Sequence, residues 1–374
     1  MPTTDVTYSA QPSPPIDVST PAVVVDVDVL ERNITRTAQT FRERGVELRP
    51  HAKTHKVVEI AQRQLAAGAV GLTVATISEA EVFADAGVED VFIAYPLWLD
   101  ARNAARLRTL AGHCTVRIGV DSTAALDRIA SELHGSGIRV SLELDAGHHR
   151  SGVLPAEAPG IFAHARRTGV ALDGVFTFPG HSYAPGRPAA VAEQEAEVLG
   201  ETTAMLREAG FMVSHVSGGS TPTAVTGVDS PATEIRPGVY VFFDAQQLEL
   251  GSCTIEDVAL HVVATVVSRH DRAGSDERRI VVNAGSKVLG SDRPAWATGF
   301  GRLPQHPRAR VTALSEHHGT IVFPDDEPLP QLGAQLRLIP NHVCLTMNLV
   351  DRIQVVQDDQ VIGSWEIAAR GCND

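Results

Sequence analysis

The segment Leu48 to Lys56, LRPHAKTHK, places two lysines and two histidines at the end of a run that reads as a β-strand. A lysine amine attacks a carbonyl only when unprotonated, and burial or adjacent positive charge prepares it by lowering its pKa. Standing alone, the same cluster also fits solvated positive charge on a loop. Further along, PNHVCLTMN sets His342 and Cys344 two apart on a predicted strand, so both side chains project from one face. Imidazole plus thiolate is a partial shell for zinc that leaves positions open for water or substrate. The stretch VSGGSTPT, from Val216, has the make-up of an anion cup. Gly218 and Gly219 let backbone N–H groups approach a phosphate, and Ser220 and Thr221 add hydroxyl donors.

These groups need elements to hold them. From Ala22 to about Leu250 the chain alternates short apolar runs with helical patterns, as βα units require. Ala22 to Val27 reads as a buried strand, followed by a helix capped by Asp28 with Glu31 and striped by Leu30, Ile34, Ala38 and Phe41. VGLTVAT precedes a second helix, with Ser78 and Glu81 as its capping box and Gly87 as its stop. The series continues to GVYVFFD and, counting Glu47 to His51, gives eight candidate strands, enough to close a barrel. A doubly wound open sheet has the same grammar. Beyond Gly251 the texture changes to longer alternating segments, including AQLRLIPNHVCLTMNLV, which read as antiparallel β structure. The expectation is an α/β chain: a tail over residues 1–20, a (β/α)8 barrel over 21–250 and a smaller antiparallel β domain over 251–374.

Composition narrows the function classes. The 374 residues are 43% hydrophobic, enough for a large core, and carry a net charge of -13 without a run of like charges. That argues against nucleic acid as a partner. No export signal or membrane span is legible, and four widely spaced cysteines suit reduced thiols in a cytoplasmic protein.

From about Thr20 to the C-terminus the chain resembles the D-serine dehydratase and D-threonine aldolase family, relatives of alanine racemase. RPHAKTHK is similar to that family's cofactor-lysine segment, which implies pyridoxal 5'-phosphate (PLP) on Lys53 and leaves Lys56 exposed and idle. LDAGHHRSGV resembles the element whose arginine, here Arg150, approaches the cofactor's phenolic oxygen. FPGHSY offers His181 and Tyr183 to orient the cofactor or exchange protons. The VSGGSTPT match implies a phosphate cup of Ser217, Gly218, Gly219, Ser220 and Thr221. EIRPGVYVFFD resembles the racemase element that closes the barrel, with Arg236 near the pyridine ring and Tyr240 near the phosphate.

The resemblance also makes His342 and Cys344 metal ligands. Cysteine at the second position tilts the ion towards zinc over a harder cation such as manganese. SEHHG, residues 315–319, matches a family element in which His317 stands where glutamate is familiar, and His318 could reach the site. A homodimer acting on a small D-amino acid is implied. The leading expectation is a lyase that dehydrates a β-hydroxy D-amino acid to a keto acid and ammonia. Retro-aldol cleavage to glycine and an aldehyde uses the same parts. An amino-acid racemase would leave the His-x-Cys pair unexplained, and a noncatalytic PLP carrier would lack the β domain.

Overall fold

The computed structural model describes residues 16–271 and 278–374, so residues 1–15 of the expected tail lie outside it. Ile16, placed in that tail above, is buried with Val24, Val263 and Val356. The chain divides into two compact units. A barrel unit holds Asn33–Tyr240 and Ala368–Asp374, and a β unit holds the residues up to Arg32 with Val241–Ile367.

The first strand, β1 (Ala22–Asp26), runs into α1 (Val27–Glu43). The barrel unit then alternates β2 (Glu47–Leu48), α2 (Val58–Ala66), β3 (Leu72–Val74), α3 (Ile77–Asp85), β4 (Asp90–Pro96), α4 (Ala101–Ala111), β5 (Thr115–Val120) and α5 (Thr123–Glu132). It continues with β6 (Arg139–Glu143), α6 (Ala158–Thr168), β7 (Leu172–Phe176), α7 (Pro188–Glu208), β8 (His215–Gly218), α8 (Thr221–Ala224) and β9 (Glu234–Ile235). These eight strands form one parallel sheet in the order β2-β9-β8-β7-β6-β5-β4-β3. Its two ends meet through a parallel bridge between His51 and Thr73, with Val70 N–H donating to Leu48 O at 3.0 Å and Thr73 N–H to Pro50 O at 2.8 Å. The sheet is a closed (β/α)8 barrel. Apolar faces of the helices cover it, Phe83, Leu107, Leu126 and Ile129 in one cluster and Phe162, Leu199 and Leu206 in another.

Several residues inside the barrel are charged. Arg49 donates to Glu234 at 2.5 Å and to Asp90 at 2.6 Å. Ser217 Oγ donates to Glu234 at 2.7 Å and accepts from Arg236 Nε at 2.8 Å. Burial alone would raise the Glu234 pKa, but His215 and Arg49 outweigh it and hold the carboxyl well below its usual range. Gly71 supplies the room: a Cβ there would run into the Arg49 guanidinium.

The β unit adds α9 (Ala245–Leu250), β10 (Leu260–His270), β11 (Arg279–Val282), α10 (Ser286–Leu289), β12 (Gly301–Arg302), β13 (Arg310–Leu314) and β14 (Gly319–Val322). Then come β15 (Gln335–Pro340), α11 (Val343–Met347), β16 (Arg352–Gln357) and β17 (Gln360–Glu366). Its sheet runs β13-β14-β11-β10-β1-β16-β17, with β15 on β10 and β12. All pairs are antiparallel except β1 with β16. Among the described residues no helix is long and apolar enough to cross a membrane.

Several sequence readings shift. Ala22–Asp26 is a strand of the β unit, not the opening strand of the barrel, because β10 and β16 flank it. GVYVFFD is not a strand: Val239–Val241 is a 3-10 turn, Phe243 has φ 51°, and the last barrel strand in the chain is the preceding Glu234–Ile235. Asp26, not Asp28, accepts the Val29 N–H at the start of α1. Thr76 and Glu79, not Ser78 and Glu81, cap α3, since Thr76 Oγ1 accepts the Glu79 N–H and Glu79 accepts the Ala75 N–H.

Replacing Arg49 with methionine leaves Glu234 without its buried guanidinium partner. Chemical denaturation of Arg49→Met should show a loss of about 3–5 kcal/mol, and a loss below 1 kcal/mol would mean that the pair contributes nothing net.

Candidate active site

The carboxyl ends of five successive barrel strands converge on a cavity of about 560 Å3 lined by Lys53, Thr76, Tyr95, Asp121, Arg150 and their neighbours. Lys53 sits in a single 3-10 turn, Ala52–Thr54, immediately beyond the closing strand. Its Nζ lies 5.5 Å from the Phe178 ring centre, and the Arg150 guanidinium lies 5.0 Å from the same ring. One aromatic side chain therefore gathers both cations. Arg150 also faces the buried carboxylate of Glu143 at 3.8 Å, whose pKa burial raises.

His51, two residues before Lys53, also lines the cavity, and its buried Nδ1 has no hydrogen-bond partner. Burial first, and then the charges of Lys53 and Arg236, push its pKa well below the usual value and keep the ring neutral. His181 lies on the turn beyond β7, where Nε2 meets Gln194 Oε1 at 3.0 Å and the ring stacks on His148. Tyr183 ends that turn, its N–H donating to Gly180 O.

The loop beyond β8 combines a glycine backbone with one spare hydroxyl. Gly219 has φ 85°, and a Cβ there would come within 2.7 Å of Ile235 Cγ2. Ser220 Oγ caps α8 and also meets Ser182 Oγ at 2.9 Å, whereas the Thr221 hydroxyl is buried without a partner. The N–H of Gly219 donates to Glu195 at 2.8 Å. Ser217 points its hydroxyl to Glu234 and Arg236. Arg236 is buried, donates to Thr177 O, and stands over the Phe92 and Phe176 rings at 5.6 Å and 5.5 Å. Tyr240 is buried, its OH accepting from Gln64 Nε2 at 3.0 Å. A cavity with a lysine on its wall and a loop with an unpaired hydroxyl and a glycine backbone suit an aldehyde-bearing phosphate ester such as PLP.

In the β unit, His342 and Cys344 do not share a strand. β15 ends at Pro340, His342 is the extended N-cap of α11, and Cys344 stands in that helix's first turn. The helix starts there because the Asp244 carboxylate accepts the Val343 N–H at 3.2 Å. The two side chains are nevertheless within hydrogen-bonding reach. His342 Nδ1 meets Asp292 Oδ2 at 2.5 Å, the carboxylate–histidine arrangement that orients a metal-bound imidazole. Burial opposes a charge on His342, but Cys344, Asp292 and Asp244 raise its pKa well above the usual value. Among the described residues no group of three His, Cys, Asp or Glu side chains is placed to hold a metal. A metal here would have these two protein ligands, with the rest of its shell open. His318 is exposed on the β13–β14 hairpin, and His317 beside it is also exposed, as a hairpin-loop reading expects.

Tyr95, Asp121 and Glu143 were missed as site residues, and His51 was counted without a role. Their signal was position, since each stands at or beyond the carboxyl end of a strand in the βα series. Lys56, read as exposed, is buried.

An alanine racemase N-terminal domain model matches residues 25–246, and a serine dehydratase domain model matches residues 259–356. D-threo-3-hydroxyaspartate dehydratase of Delftia sp. (strain HT23) is 36% identical over 376 residues, covering 94% of this chain and 97% of that protein. D-threonine aldolase of Arthrobacter sp. is 34% identical, covering 97% and 96%. The chain belongs to the D-serine dehydratase and D-threonine aldolase family. It is a PLP-dependent lyase with an alanine racemase-like barrel. Two solved variants of a D-threo-3-hydroxyaspartate dehydratase superpose with TM-scores of 0.85 and 0.84, each at 35% identity over 94% of this chain and 95% and 97% of theirs. One replaces a histidine by alanine; the other replaces a cysteine two positions further on and is described as the metal-free form.

Burial pushes the Glu195 pKa up to about 7, against the hydrogen bonds from Gly219 and Thr177. The folded state thus holds a proton that the unfolded chain releases near the ordinary glutamate value of 4.5, so stability falls as pH rises from there to about 7. Glu195→Gln should be more stable than the parent above pH 7, with the gap closing below about pH 5. Unfolding curves at four or five pH values check this; a gap that grows on acidification would contradict it.

Proposed function

We propose that this lyase removes water from a β-hydroxy D-amino acid, with D-serine as the type substrate, and that its metal is zinc held by His342 and Cys344. The observation that carries the reading is the His342 and Cys344 pair, adjacent in space and backed by Asp292. A soft thiolate beside an imidazole favours zinc over the oxygen-seeking cations. The two D-threo-3-hydroxyaspartate dehydratase variants alter a histidine and a cysteine with the same spacing, which supports the same pair here.

When bound, PLP supplies an electron sink for charge at Cα, and zinc supplies Lewis-acid stabilisation for departing hydroxide. Lys53 is the residue we assign to the cofactor and then to the α-proton. The chain has three lysines; Lys56 is buried against Glu79, and Lys287 is exposed and paired with Glu316. Arg150, on the shared Phe178 face, and Arg236, fixed by Ser217, are the cations we assign to the cofactor ring, which they would orient and polarise. Gly218, Gly219, Ser220 and Thr221 would hold the phosphate, with the unpaired Thr221 hydroxyl as a ready donor. Tyr240 stays a protonated phenol, because burial raises its pKa. Tyr183 and His181, on the turn beyond β7, are the groups we assign to the substrate side, and neutral His51 can accept a hydrogen bond at Nδ1. Loss of water from the substrate leaves an enamine, which takes up water to give a 2-keto acid and ammonia.

Purified protein given D-serine, D-threonine or D-threo-3-hydroxyaspartate should release ammonia and keto acid in equal amounts, without glycine, and chelation should stop it. Glycine with an aldehyde would replace dehydration by retro-aldol cleavage. Full activity after chelation would remove the zinc assignment.

A further inference from the structure

The second lysine of HAKTHK is held in a way that its sequence did not suggest. Lys56 has φ 56°, a conformation that a non-glycine residue keeps only when its surroundings enforce it. Its N–H donates to Ala52 O at 2.8 Å, closing the turn that carries Lys53. Its ammonium meets Glu79 Oε1 at 3.2 Å and donates to Asn373 Oδ1 at 3.3 Å. Both members of the ion pair are buried, with side-chain exposures of 6% and 2%.

Glu79 divides its carboxylate between two walls of the cavity. Oε1 faces Lys56, beside the Lys53 turn, and Oε2 accepts the N–H of Ala75 at 2.7 Å. Ala75 and Thr76 line the cavity together with Lys53. The C-terminal segment straps the same place. Ala369 N–H donates to Lys56 O at 3.1 Å, Thr76 Oγ1 donates to Cys372 O at 2.9 Å, and Ser78 N–H donates to Asp374 O at 2.9 Å. A buried ion pair is a weak source of net stability, but removing one partner strands the other charge. Here the stranded charge would be Glu79, directly behind the Ala75–Thr76 wall.

We propose that Lys56 is a positioning residue for Lys53: with Glu79 and Asn373 it locks the lysine turn to the Ala75–Thr76 wall and so sets the affinity for the cofactor. This rests on the assignment of PLP to Lys53.

The test is a titration of full-length apoprotein with PLP, followed by the absorbance of the bound cofactor, with thermal unfolding recorded for each variant. Lys56→Met should weaken PLP binding by roughly tenfold or more, and Asn373→Ala by a smaller factor in the same direction. Adding Glu79→Gln to Lys56→Met removes the stranded charge and should recover most of the affinity, which a double-mutant cycle reads as coupling. Leu126→Ala, a core truncation at a residue that does not line the cavity, controls for general destabilisation and should leave PLP affinity unchanged. The proposal is overturned if Lys56→Met binds PLP within about twofold of the parent. It is equally overturned if Leu126→Ala loses as much affinity at the same drop in melting temperature. Lys53→Ala separates the two readings: if it keeps the bound-cofactor band, the Lys53 assignment itself fails, whatever Lys56 does.

Discussion

The barrel closes on β2, one of its two shortest strands, and the site depends on that closure. β2 has two residues in regular pairing, yet the chain from Glu47 to His51 is bonded on both sides. Towards β9, the N–H groups of Glu47, Arg49 and His51 donate to Thr233, Ile235 and Pro237 at 2.9–3.0 Å. Towards β3, Leu48 and Pro50 accept from Val70 and Thr73. Inside, the Arg49 side chain repeats the same join electrostatically, through Glu234 at the base of β9 and Asp90 at the start of β4. Lys53 follows within one turn, so its position is set by backbone pairing and by a buried charge pair together.

Glu234 extends that constraint. Through Ser217 it fixes Arg236, and Arg236 in turn reaches the carbonyl of Thr177. A second buried acid, Glu195, holds the Gly219 N–H and the Thr177 hydroxyl. The barrel interior is thus a connected polar network whose members are mostly satisfied, which rigidifies the site. Among the buried unpaired groups, His51 Nδ1, Glu143 Oε2 and the Thr221 hydroxyl are associated with the cavity wall and the loop beyond β8, where a ligand would complete them.

Much of this was legible in the sequence, and the failures are instructive. Apolar runs and helix periodicity located most of the barrel strands, because parallel strands covered on both faces read as continuous apolar runs. The same property misplaced Ala22–Asp26, whose three central valines are as buried in the β unit's sheet as a barrel strand would be. GVYVFFD is equally apolar, yet Phe243 takes a left-handed conformation and Asp244 caps the next helix, which local composition does not announce. His342 and Cys344 were found by residue type, but their geometry comes from a helix start enforced by Asp244, ninety-eight residues away in sequence from His342. Lys56 was misjudged because its partners, Glu79 and Asn373, are brought to it only by the fold.

The central claim is that the closing strand delivers Lys53, alone among the three lysines, to the cofactor. Borohydride reduction of the PLP-loaded protein, followed by proteolysis and mass spectrometry, tests it directly. The account predicts the reduced cofactor on the peptide containing Lys53, located at that residue, with Lys56 and Lys287 unmodified. Label on Lys56 or Lys287 in place of Lys53 would contradict it.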